Sequence, residues 1–299
     1  MAGEIRKGGR LVEGPKRTTV ERMVRAALEE DSVREDVTVS YLGVGTGTIR
    51  AEIAANRAGV IAGTDIAREV FRQVDDSTVF DAIVADGGRC SGGEVLARIT
   101  GPARAVLGAE RAALNFMQHL SGVATLAAEF VARVAQSGVT ILDTRKTTPL
   151  WRELEKYAVR CGGAHNHRPD LRAMVLVKEN HIRAIGGPEA LVGRLRESSR
   201  RRRRFVEVEV DSLAILDQVL GVPLDRVMLD NFAPDEVRAG LERIDAYRKA
   251  HPDYRVEVEV SGGVTLENVA SYALPGVDYI SVGAITHSAP ALPMSMEVL

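Results

Sequence analysis

Six short runs rich in Val and Ile recur after Gly138, and each is followed by a segment with helical character. Successive runs start 35, 31, 21, 29 and 22 residues apart, a spacing typical of βα units built around a parallel sheet. The runs cover residues 139–142, 174–177, 205–210, 226–229, 255–260 and 277–282. This pattern restricts the chain to the α/β class, either as a barrel or as a flat doubly wound sheet.

Polar residues stand at the carboxyl end of every run. In chain order they are Asp143, Arg145 and Lys146; Lys178, Glu179, Asn180 and His181; Glu209 and Asp211; Asp230 and Asn231; Glu259, Ser261, Gly262 and Gly263; and Ser281 and Gly283. An α/β barrel builds its active site at the carboxyl ends of its strands. A flat doubly wound sheet places its ligand mainly at one switch point. Six such strand ends therefore favour the barrel.

The sequence Val-Glu-Val-Glu-Val occurs twice, at residues 206–210 and 256–260. Side chains alternate between the two faces of a strand, and a barrel shows apolar residues to its helices, so we expect the valines to point outward. The side chains expected in the lumen are Glu207, Glu209, Glu257 and Glu259. Buried carboxylates need cationic partners, and Lys178 with Arg145 and Lys146 are the natural ones. A purely structural ion network is the alternative.

The chain before the runs has a mixed pattern, which predicts a small α+β domain over residues 18–121. Its expected elements are a helix at 20–28, strands at 49–55 and 95–100, turns at Gly87-Gly88 and Gly92-Gly93, and a long helical segment at 109–135. Residues 1–17 are basic and lack an apolar stretch, so they are predicted to be a flexible leader and not a signal peptide.

Composition limits the possible partners. The net charge of −2 gives no reason to expect nucleic acid or an anionic membrane as partner, and no uncharged apolar run is long enough for a membrane span. Arg200–Arg204 is interpreted as a solvated helix end or loop, because it precedes its strand and belongs to the opposite end of the barrel. Two cysteines, Cys90 and Cys161, cannot form a disulfide framework, which favours a reducing, cytoplasmic compartment.

Three segments concentrate basic side chains at the predicted barrel mouth: residues 143–147, 165–168 and 178–181. So many Arg, Lys and His donors fit a site for several anionic groups at once. Zinc binding by His165 and His167 is an alternative, although no third ligand with metal spacing follows them. His181 could equally be an ordinary core or rim histidine.

Two loops after successive strands offer small residues and backbone amides. They are Ser261-Gly262-Gly263 and Val282-Gly283-Ala284. The last two βα loops of a barrel often cradle a phosphate in this way. A pair of ordinary tight turns is the alternative interpretation.

Together these motifs resemble the quinolinate phosphoribosyltransferase family, from about Val20 to the end of the sequence. The resemblance extends over Glu110-Arg111, Leu114-Asn115-Phe116, His119-Leu120-Ser121-Gly122, Asp143-Thr-Arg-Lys-Thr147, Glu155-Lys-Tyr-Ala-Val-Arg-Cys-Gly-Gly163, His165-Asn-His-Arg168, Lys178-Glu-Asn-His181, Glu207-Val-Glu-Val-Asp211, Leu229-Asp-Asn-Phe232 and Ser261-Gly-Gly263. It implies an incomplete, seven-stranded α/β barrel at 122–286. It also implies an N-terminal α/β sandwich domain at 18–121, completed by about 287–299.

The resemblance further implies a pentosyltransferase of de novo NAD biosynthesis. Such an enzyme transfers the phosphoribosyl group of phosphoribosyl pyrophosphate to quinolinate and releases pyrophosphate and CO₂, which gives nicotinate mononucleotide. Magnesium is the implied cofactor. The implied assembly is a homodimer in which Arg111 reaches the partner's site, and assembly beyond a dimer is left open.

Residue roles follow from the same resemblance. The implied catalytic residues are Lys146, Lys178, Glu209 and Asp230. The substrates' anionic groups are assigned to Arg111, Thr144, Arg145, Lys146, His167, Arg168 and Lys178. Glu209 and Asp230 are assigned to the ribose hydroxyls and, through water, to Mg²⁺. The 5′-phosphate is assigned to Ser261, Gly262, Gly263, Val282, Gly283 and Ala284.

The chain departs from the family pattern near the pocket rim. Leu150-Trp151 follow Pro149 where glycine is frequent, and Ala164 stands where a third glycine is expected. Nicotinate phosphoribosyltransferase is the nearest competing activity, but the surplus of cations favours the dicarboxylate quinolinate. A related protein of molybdenum-transport operons, a barrel aldolase with Lys178 as Schiff-base lysine, and a non-catalytic phosphate-binding barrel are weaker alternatives.

Overall fold

A computed structural model of the chain describes residues 5–7, 10–45, 47–199 and 204–299. Contacts divide these residues into two compact units. The first unit comprises Met1–Ala128, Thr147–Ala164 and Ile285–Leu299, and the second comprises Glu129–Lys146 and His165–Ala284, as far as they are described. Residues 147–164 thus group with the first unit, a placement that the sequence pattern did not indicate.

The elements are numbered along the chain. The strands are β1 (Ile5–Lys7), β2 (Arg10–Val12), β3 (Thr48–Ala55), β4 (Gly59–Val60), β5 (Val79–Ala82), β6 (Arg89–Cys90), β7 (Val95–Pro102), β8 (Thr140–Leu142), β9 (Val175–Val177), β10 (Val206–Val210), β11 (Arg226–Asp230), β12 (Glu257–Ser261), β13 (Tyr279–Ser281) and β14 (Met294–Val298). The helices are α1 (Arg17–Glu30), α2 (Val37–Tyr41), α3 (Thr64–Val74), α4 (Ala103–Arg133), α5 (Arg152–Cys161), α6 (Glu179–Ala184), α7 (Pro188–Ser199), α8 (Leu213–Val219), α9 (Pro234–Ala250), α10 (Val269–Tyr272) and α11 (Ala284–His287), with a 3₁₀ helix at Val33–Glu35.

The first unit contains a four-stranded antiparallel sheet in the order β14-β3-β7-β5. Alternate residues of β3 are buried, namely Ala51, Ile53 and Ala55, as expected for a strand with one face on a core. The predicted strands at 49–55 and 95–100 are confirmed as β3 and β7. The short strands β4, β5 and β6 were not predicted, because two to four residues are too few for an alternating pattern to stand out.

Helix α3 packs its apolar side into the core of this unit through Ile66, Val70 and Phe71, which are all buried. Its first turn is fixed by the buried carboxylate of Asp86, which accepts from the N–H groups of Gly63 (2.8 Å) and Thr64 (2.9 Å). A carboxylate at this position also opposes the positive end of the helix dipole. Asp86 therefore caps the start of α3 from a distant part of the chain, because the N-cap residue Gly63 has no side chain to do so.

The segment predicted as a flexible leader carries structure in its described part. β1 pairs antiparallel with β2, and α1 begins at Arg17. The Lys16 N–H donates to Glu153 Oε1 at 2.7 Å, and Arg160 Nη2 donates to the Glu13 carbonyl at 2.8 Å. The sequence pattern indicated none of these contacts, because their partners lie on α5, far along the chain.

The second unit contains a six-stranded parallel sheet in the order β8-β13-β12-β11-β10-β9. All six predicted runs are confirmed as strands, and the α/β class with a parallel sheet is confirmed. Leu142 also forms a parallel bridge with His165, which extends the pairing beyond β8. On β10 and β12, Val208, Val258 and Val260 are fully buried on one face while Glu207 and Glu259 are fully buried on the other. The carboxyl ends of these strands meet at one edge of the sheet.

No helix in the described part of the chain is long and apolar enough to cross a membrane.

Candidate active site

The carboxyl ends of β9, β10 and β11 bring three predicted site residues to neighbouring strands. Lys178 follows β9, Glu209 lies in β10 opposite Met228 of β11, and Asp230 ends β11. Lys178 Nζ forms an ion pair with the Glu209 carboxylate. The Lys178 side chain is 44% exposed and that of Glu209 12%, so the lysine is accessible while the carboxylate is largely covered. We call Arg145, Lys146, Arg168, Lys178, Glu209 and Asp230 the rim cluster.

His181 has a structural contact at this edge. Its Nδ1 accepts the Lys178 N–H at 2.9 Å, which caps the first turn of α6. Of the two interpretations left open by the sequence, the structure favours that of a rim histidine, because the ring fixes the main chain of Lys178.

Two arginines of the rim cluster lie close enough to affect each other. Burial, and next the positive charge of Arg145, lower the pKa of Arg168. Arg168 Nη1 donates to the Met174 carbonyl at 3.3 Å, but its buried Nε has no partner in the described part of the chain. A buried donor without an acceptor, beside a second cation, is destabilising until an anion arrives. This is the strongest structural sign of an anion site in the molecule.

The segment 165–168 is held by the buried side chain of Asp143. Asp143 Oδ1 accepts the His167 N–H at 2.8 Å, and Oδ2 accepts Asn166 Nδ2 at 2.7 Å. The Asp143 N–H in turn donates to the His165 carbonyl at 3.0 Å. On the neighbouring loop, Thr144 Oγ1 accepts the Lys146 N–H at 3.0 Å. Two loops with five of the predicted binding residues, namely Thr144, Arg145, Lys146, His167 and Arg168, are thereby anchored at the end of β8.

The loop after β12 is tightly turned at Gly262 and braced by neighbouring side chains. Gly262 has a φ of 87°, and a Cβ at this position would lie 2.2 Å from Asn231 Oδ1. Only glycine fits there. The loop is braced farther on by Asn268, whose Nδ2 donates to the Gly263 carbonyl at 2.9 Å. The phosphate-binding role assigned to Ser261–Gly263 stays a prediction.

The loop after β13 bears on the same prediction. The Val282 N–H donates to the Leu142 carbonyl at 2.9 Å, so it belongs to the sheet and does not point to a ligand. The predicted cradle Val282–Ala284 therefore narrows to Gly283 and Ala284, at the start of α11.

Beneath the rim, two carboxyls are fully buried. Burial raises the pKa of Glu207 to about 7 against the attraction of the Arg226 guanidinium. Burial, and next the negative charge of Glu207, raise the pKa of Glu259 to about 7. One oxygen of each, Oε1, has no hydrogen-bond partner in the described part of the chain. The two carboxyls titrate as a coupled pair, because loss of one proton makes the second harder to remove.

Arg226 is the residue that the sequence interpretation missed. Its Nη1 lies 2.8 Å from Glu259 Oε2, and its Nη2 lies 2.8 Å from Glu257 Oε2. Although burial lowers the pKa of Arg226, Glu259 and Glu257 raise it above its usual value overall. Its position in the sequence could have indicated this role, because Arg226 and Asp230 are four residues apart in β11 and therefore lie on the same face of the strand. We call His167, Glu207, Arg226 and Glu259 the floor cluster.

The floor cluster includes the one group of potential metal ligands found among the described residues. The ligand atoms of His167, Glu207 and Glu259 all lie within 4.8 Å of one another. His167 Nδ1, however, accepts the Arg168 N–H at 2.7 Å, so the ring proton is inferred to sit on Nε2, facing Glu207 Oε2 at 3.1 Å. A protonated Nε2 cannot bind a metal ion. The alternative of a zinc site at His165 and His167 is not supported either, since His165 is exposed while His167 is buried.

This geometry also bears on the predicted role of His167. With Nδ1 accepting from the Arg168 N–H and Nε2 facing Glu207, the ring has a hydrogen-bond partner on both sides. Direct binding of a substrate anion by this ring would require one of these hydrogen bonds to break. The structure thus gives His167 a supporting contact on each side of its ring, and its assigned role in substrate binding stays a prediction.

Two models of known domains match the chain. "Quinolinate phosphoribosyl transferase, C-terminal domain" matches residues 123–297, and "Quinolinate phosphoribosyl transferase, N-terminal domain" matches residues 36–121. The chain belongs to the quinolinate phosphoribosyltransferase family. The resemblance drawn from the sequence motifs is confirmed.

Individual relatives of the family agree with this over most of their length. A protein of Bacillus subtilis (strain 168) named probable nicotinate-nucleotide pyrophosphorylase (carboxylating) is 39% identical over 254 residues, 85% of either chain. The Homo sapiens protein named nicotinate-nucleotide pyrophosphorylase (carboxylating) is 36% identical over 278 residues, 91% of either chain. The solved structure of the nicotinate-nucleotide pyrophosphorylase from Francisella tularensis is 34% identical, with a TM-score of 0.85 over 96% of this chain and 99% of that chain.

Two positions at which this quinolinate phosphoribosyltransferase departs from the family pattern lie in its first unit. Leu150 has a φ of 69° and is 76% exposed, so a branched side chain occupies a backbone conformation that suits glycine. Ala164 is buried just after α5. Arg111, also in the first unit, has an exposed side chain on α4, 4.0 Å from Glu110. That weak neighbouring pair leaves its guanidinium accessible.

Proposed function

We infer that this enzyme transfers the phosphoribosyl group of phosphoribosyl pyrophosphate to quinolinate, with decarboxylation, in de novo NAD biosynthesis. The products are nicotinate mononucleotide, pyrophosphate and CO₂. Membership of the family and the relatives named carboxylating pyrophosphorylases support the reaction. In the structure, the observation that carries it is the buried, unpartnered Nε of Arg168 beside Arg145.

The charge of the rim cluster supports quinolinate over nicotinate. Quinolinate carries two carboxylates, and phosphoribosyl pyrophosphate adds a phosphate and a pyrophosphate. Arg145, Lys146, Arg168 and Lys178 supply four cations for these groups, and a guanidinium can bind a carboxylate through two parallel hydrogen bonds. A monocarboxylate would leave part of this charge without a counterion.

The reaction requires no nucleophile from the protein. The pyridine nitrogen attacks the anomeric carbon, and the bond from that carbon to pyrophosphate breaks with its electron pair on the leaving oxygen. The quaternised ring then loses the neighbouring carboxylate as CO₂, and the electron pair left on the ring carbon takes up a proton. The chain's part is to hold both substrates in line and to stabilise the changing charge.

Within this reaction Lys146 and Lys178 stabilise the negative charge that develops on pyrophosphate. Glu209 and Asp230 face the ribose and favour positive charge at its anomeric carbon. Thr144 fixes the main chain of Lys146, as its hydroxyl contact shows. The 5′-phosphate is assigned to Ser261, Gly262 and Gly263, with Gly283 and Ala284 of the next loop.

The acidic residues of the rim fit a hydrated magnesium ion. Mg²⁺ is usually held by one or two carboxylates together with waters and substrate phosphates. Glu209 and Asp230 supply two carboxylates on adjacent strands, and Asp230 Oδ2 is oriented by Asn231 Nδ2 at 2.8 Å. Bound there, magnesium would neutralise charge on the pyrophosphate.

The finer features of the fold and assembly belong to the same proposal. We assign the second unit to an incomplete seven-stranded barrel, with the bridge at His165 beside β8 as support, and the first to an α/β sandwich completed by β14. We propose a homodimer in which Arg111 enters the partner's site. Cys90 and Cys161 are not joined in a disulfide, which supports the proposal of a cytoplasmic location.

One incubation tests substrate and reaction together. The protein is mixed with phosphoribosyl pyrophosphate, Mg²⁺ and either quinolinate or nicotinate, and both nicotinate mononucleotide and CO₂ are measured. We expect both products from quinolinate and neither from nicotinate. Equal mononucleotide formation from nicotinate would refute the assignment.

A further inference from the structure

The floor cluster forms a continuous chain of contacts under the rim. Arg226 begins at the bottom, where its guanidinium carbon lies 3.8 Å from the centre of the Tyr279 ring. From there Nη1 reaches Glu259 Oε2 at 2.8 Å, and Glu259 Oε2 lies 3.7 Å from His167 Nε2. The side chains of Arg226, Glu259 and His167 are 11%, 0% and 6% exposed. The cluster therefore has few alternative arrangements.

His167 connects the floor cluster to the main chain of Arg168. Its Nε2 lies near the carboxylates of Glu207 and Glu259, and its Nδ1 accepts the Arg168 N–H at 2.7 Å. The next side chain along the chain is that of Arg168, with its unpartnered Nε. Arg145 and Arg168 repel each other, so before substrate binds the loop needs an opposing restraint.

We propose that Arg226 and Glu259 are positioning residues, which hold the His167 ring from the floor of the lumen and thereby keep Arg168 in place for the substrate. Neither residue needs to touch a substrate. The proposal rests on the proposed anion-binding role of Arg168. Supporting groups beneath a site matter because a displacement near 1 Å in a binding group can reduce the rate by about 10²-fold.

A matched pair of substitutions separates positioning from general stability. Glu257 and Glu259 lie on the same strand and bind the same guanidinium, but only Glu259 is near His167. We expect Glu259→Leu to lower kcat/KM by about ten- to a hundredfold. Glu257→Leu should leave kcat/KM close to the wild-type value, with melting temperatures recorded for both. Equal losses in the two variants would overturn the proposal.

Two further variants test the route through His167. Glu259→Gln keeps an oxygen that can accept from both Arg226 and His167, so it should restore most of the activity that Glu259→Leu loses. In a His167→Ala background, Glu259→Leu should cause little additional loss, because the coupling partner is already gone. Full additivity of the two losses, or failure of Glu259→Gln to rescue, would overturn the proposal.

A measurement on the wild-type enzyme keeps the proposal testable if Glu259→Leu does not fold. Nitrogen-15 NMR of the imidazoles, assigned with His167→Asn, should show His167 neutral with its proton on Nε2. A charged ring or a proton on Nδ1 would contradict the proposal. Arg168→Ala tests the anion-binding role of Arg168 separately from the positioning role of Glu259. If the Arg168→Ala enzyme remains active, the assigned role of Arg168 is wrong. If it is inactive while Glu259→Leu behaves like Glu257→Leu, only the positioning proposal fails.

Discussion

Glu207 of the floor cluster and Glu209 of the rim cluster lie on the same strand, two residues apart, yet their surroundings differ. Glu207 is fully buried, and its pKa is raised to about 7, whereas Glu209 is partly exposed and paired with Lys178. The side chains of the floor cluster are buried and contact one another. The rim combines partly exposed side chains with the unpartnered donor of Arg168. Changes at the rim should therefore affect catalysis, while changes at the floor should affect stability and the order of the loops.

The largest effect is expected at the rim. Lys178→Ala should reduce kcat by about 10²-fold or more, because it removes a preorganised charge from the developing pyrophosphate. Its melting temperature should fall only modestly, since the lysine of this pair is partly exposed and such ion pairs usually contribute about 1 kcal/mol or less. Arg183→Ala, which removes an exposed pair with Glu179 on α6, is the control and should retain activity. If the Lys178→Ala enzyme keeps nearly full activity, the catalytic role assigned to Lys178 is wrong.

Mixed dimers test whether the rim is completed by the partner. Arg111→Ala and Lys178→Ala homodimers should each be nearly inactive. If each site takes Lys178 from one chain and Arg111 from the other, a mixed dimer has one intact site and one with both lesions. Random subunit exchange should then restore about one quarter of the wild-type rate. Absence of recovery, with exchange verified by mass spectrometry, would place Arg111 outside the partner's site.

The floor carboxyls predict a pH dependence of stability. Glu207 and Glu259 have folded-state pKa values of about 7, against 4.5 for the ordinary carboxyl. The folded state binds these protons more tightly than the unfolded state, so the stabilisation is full below about pH 4.5 and is lost as pH rises through about 7. Urea unfolding across this window should show the decrease. Glu207→Gln should flatten it, while Glu209→Gln at the rim should leave it in place.

The smallest effect is expected in the loop of the first unit that carries Leu150. A left-handed conformation costs a branched residue about 1–2 kcal/mol, and glycine loses part of that advantage through its greater freedom when unfolded. Leu150→Gly should therefore stabilise the protein by roughly 0.5–1 kcal/mol in urea unfolding. Leu150→Ala keeps the unfavourable φ and should bring no such gain. A destabilised Leu150→Gly variant would mean that the leucine side chain contributes a contact of its own.

The sequence by itself determined the α/β class, the six parallel strands and which side chains stand at their carboxyl ends. It could do so because both the alternation along a strand and the spacing between strands are local properties of the chain. The sequence also indicated the family, because the residues of the site occur in short motifs at the ends of the strands.

Only the tertiary structure revealed the partners of these side chains. Arg226 joins Glu259 because β11 and β12 pair in a register that places Arg226 opposite Glu257. The proton on His167 follows from the Arg168 N–H on one side and Glu207 on the other. The raised pKa values of Glu207 and Glu259 follow from burial, and the strain at Leu150 from a backbone angle. Register, burial and torsion angles arise when distant segments pack together, and for that reason no local pattern could show them.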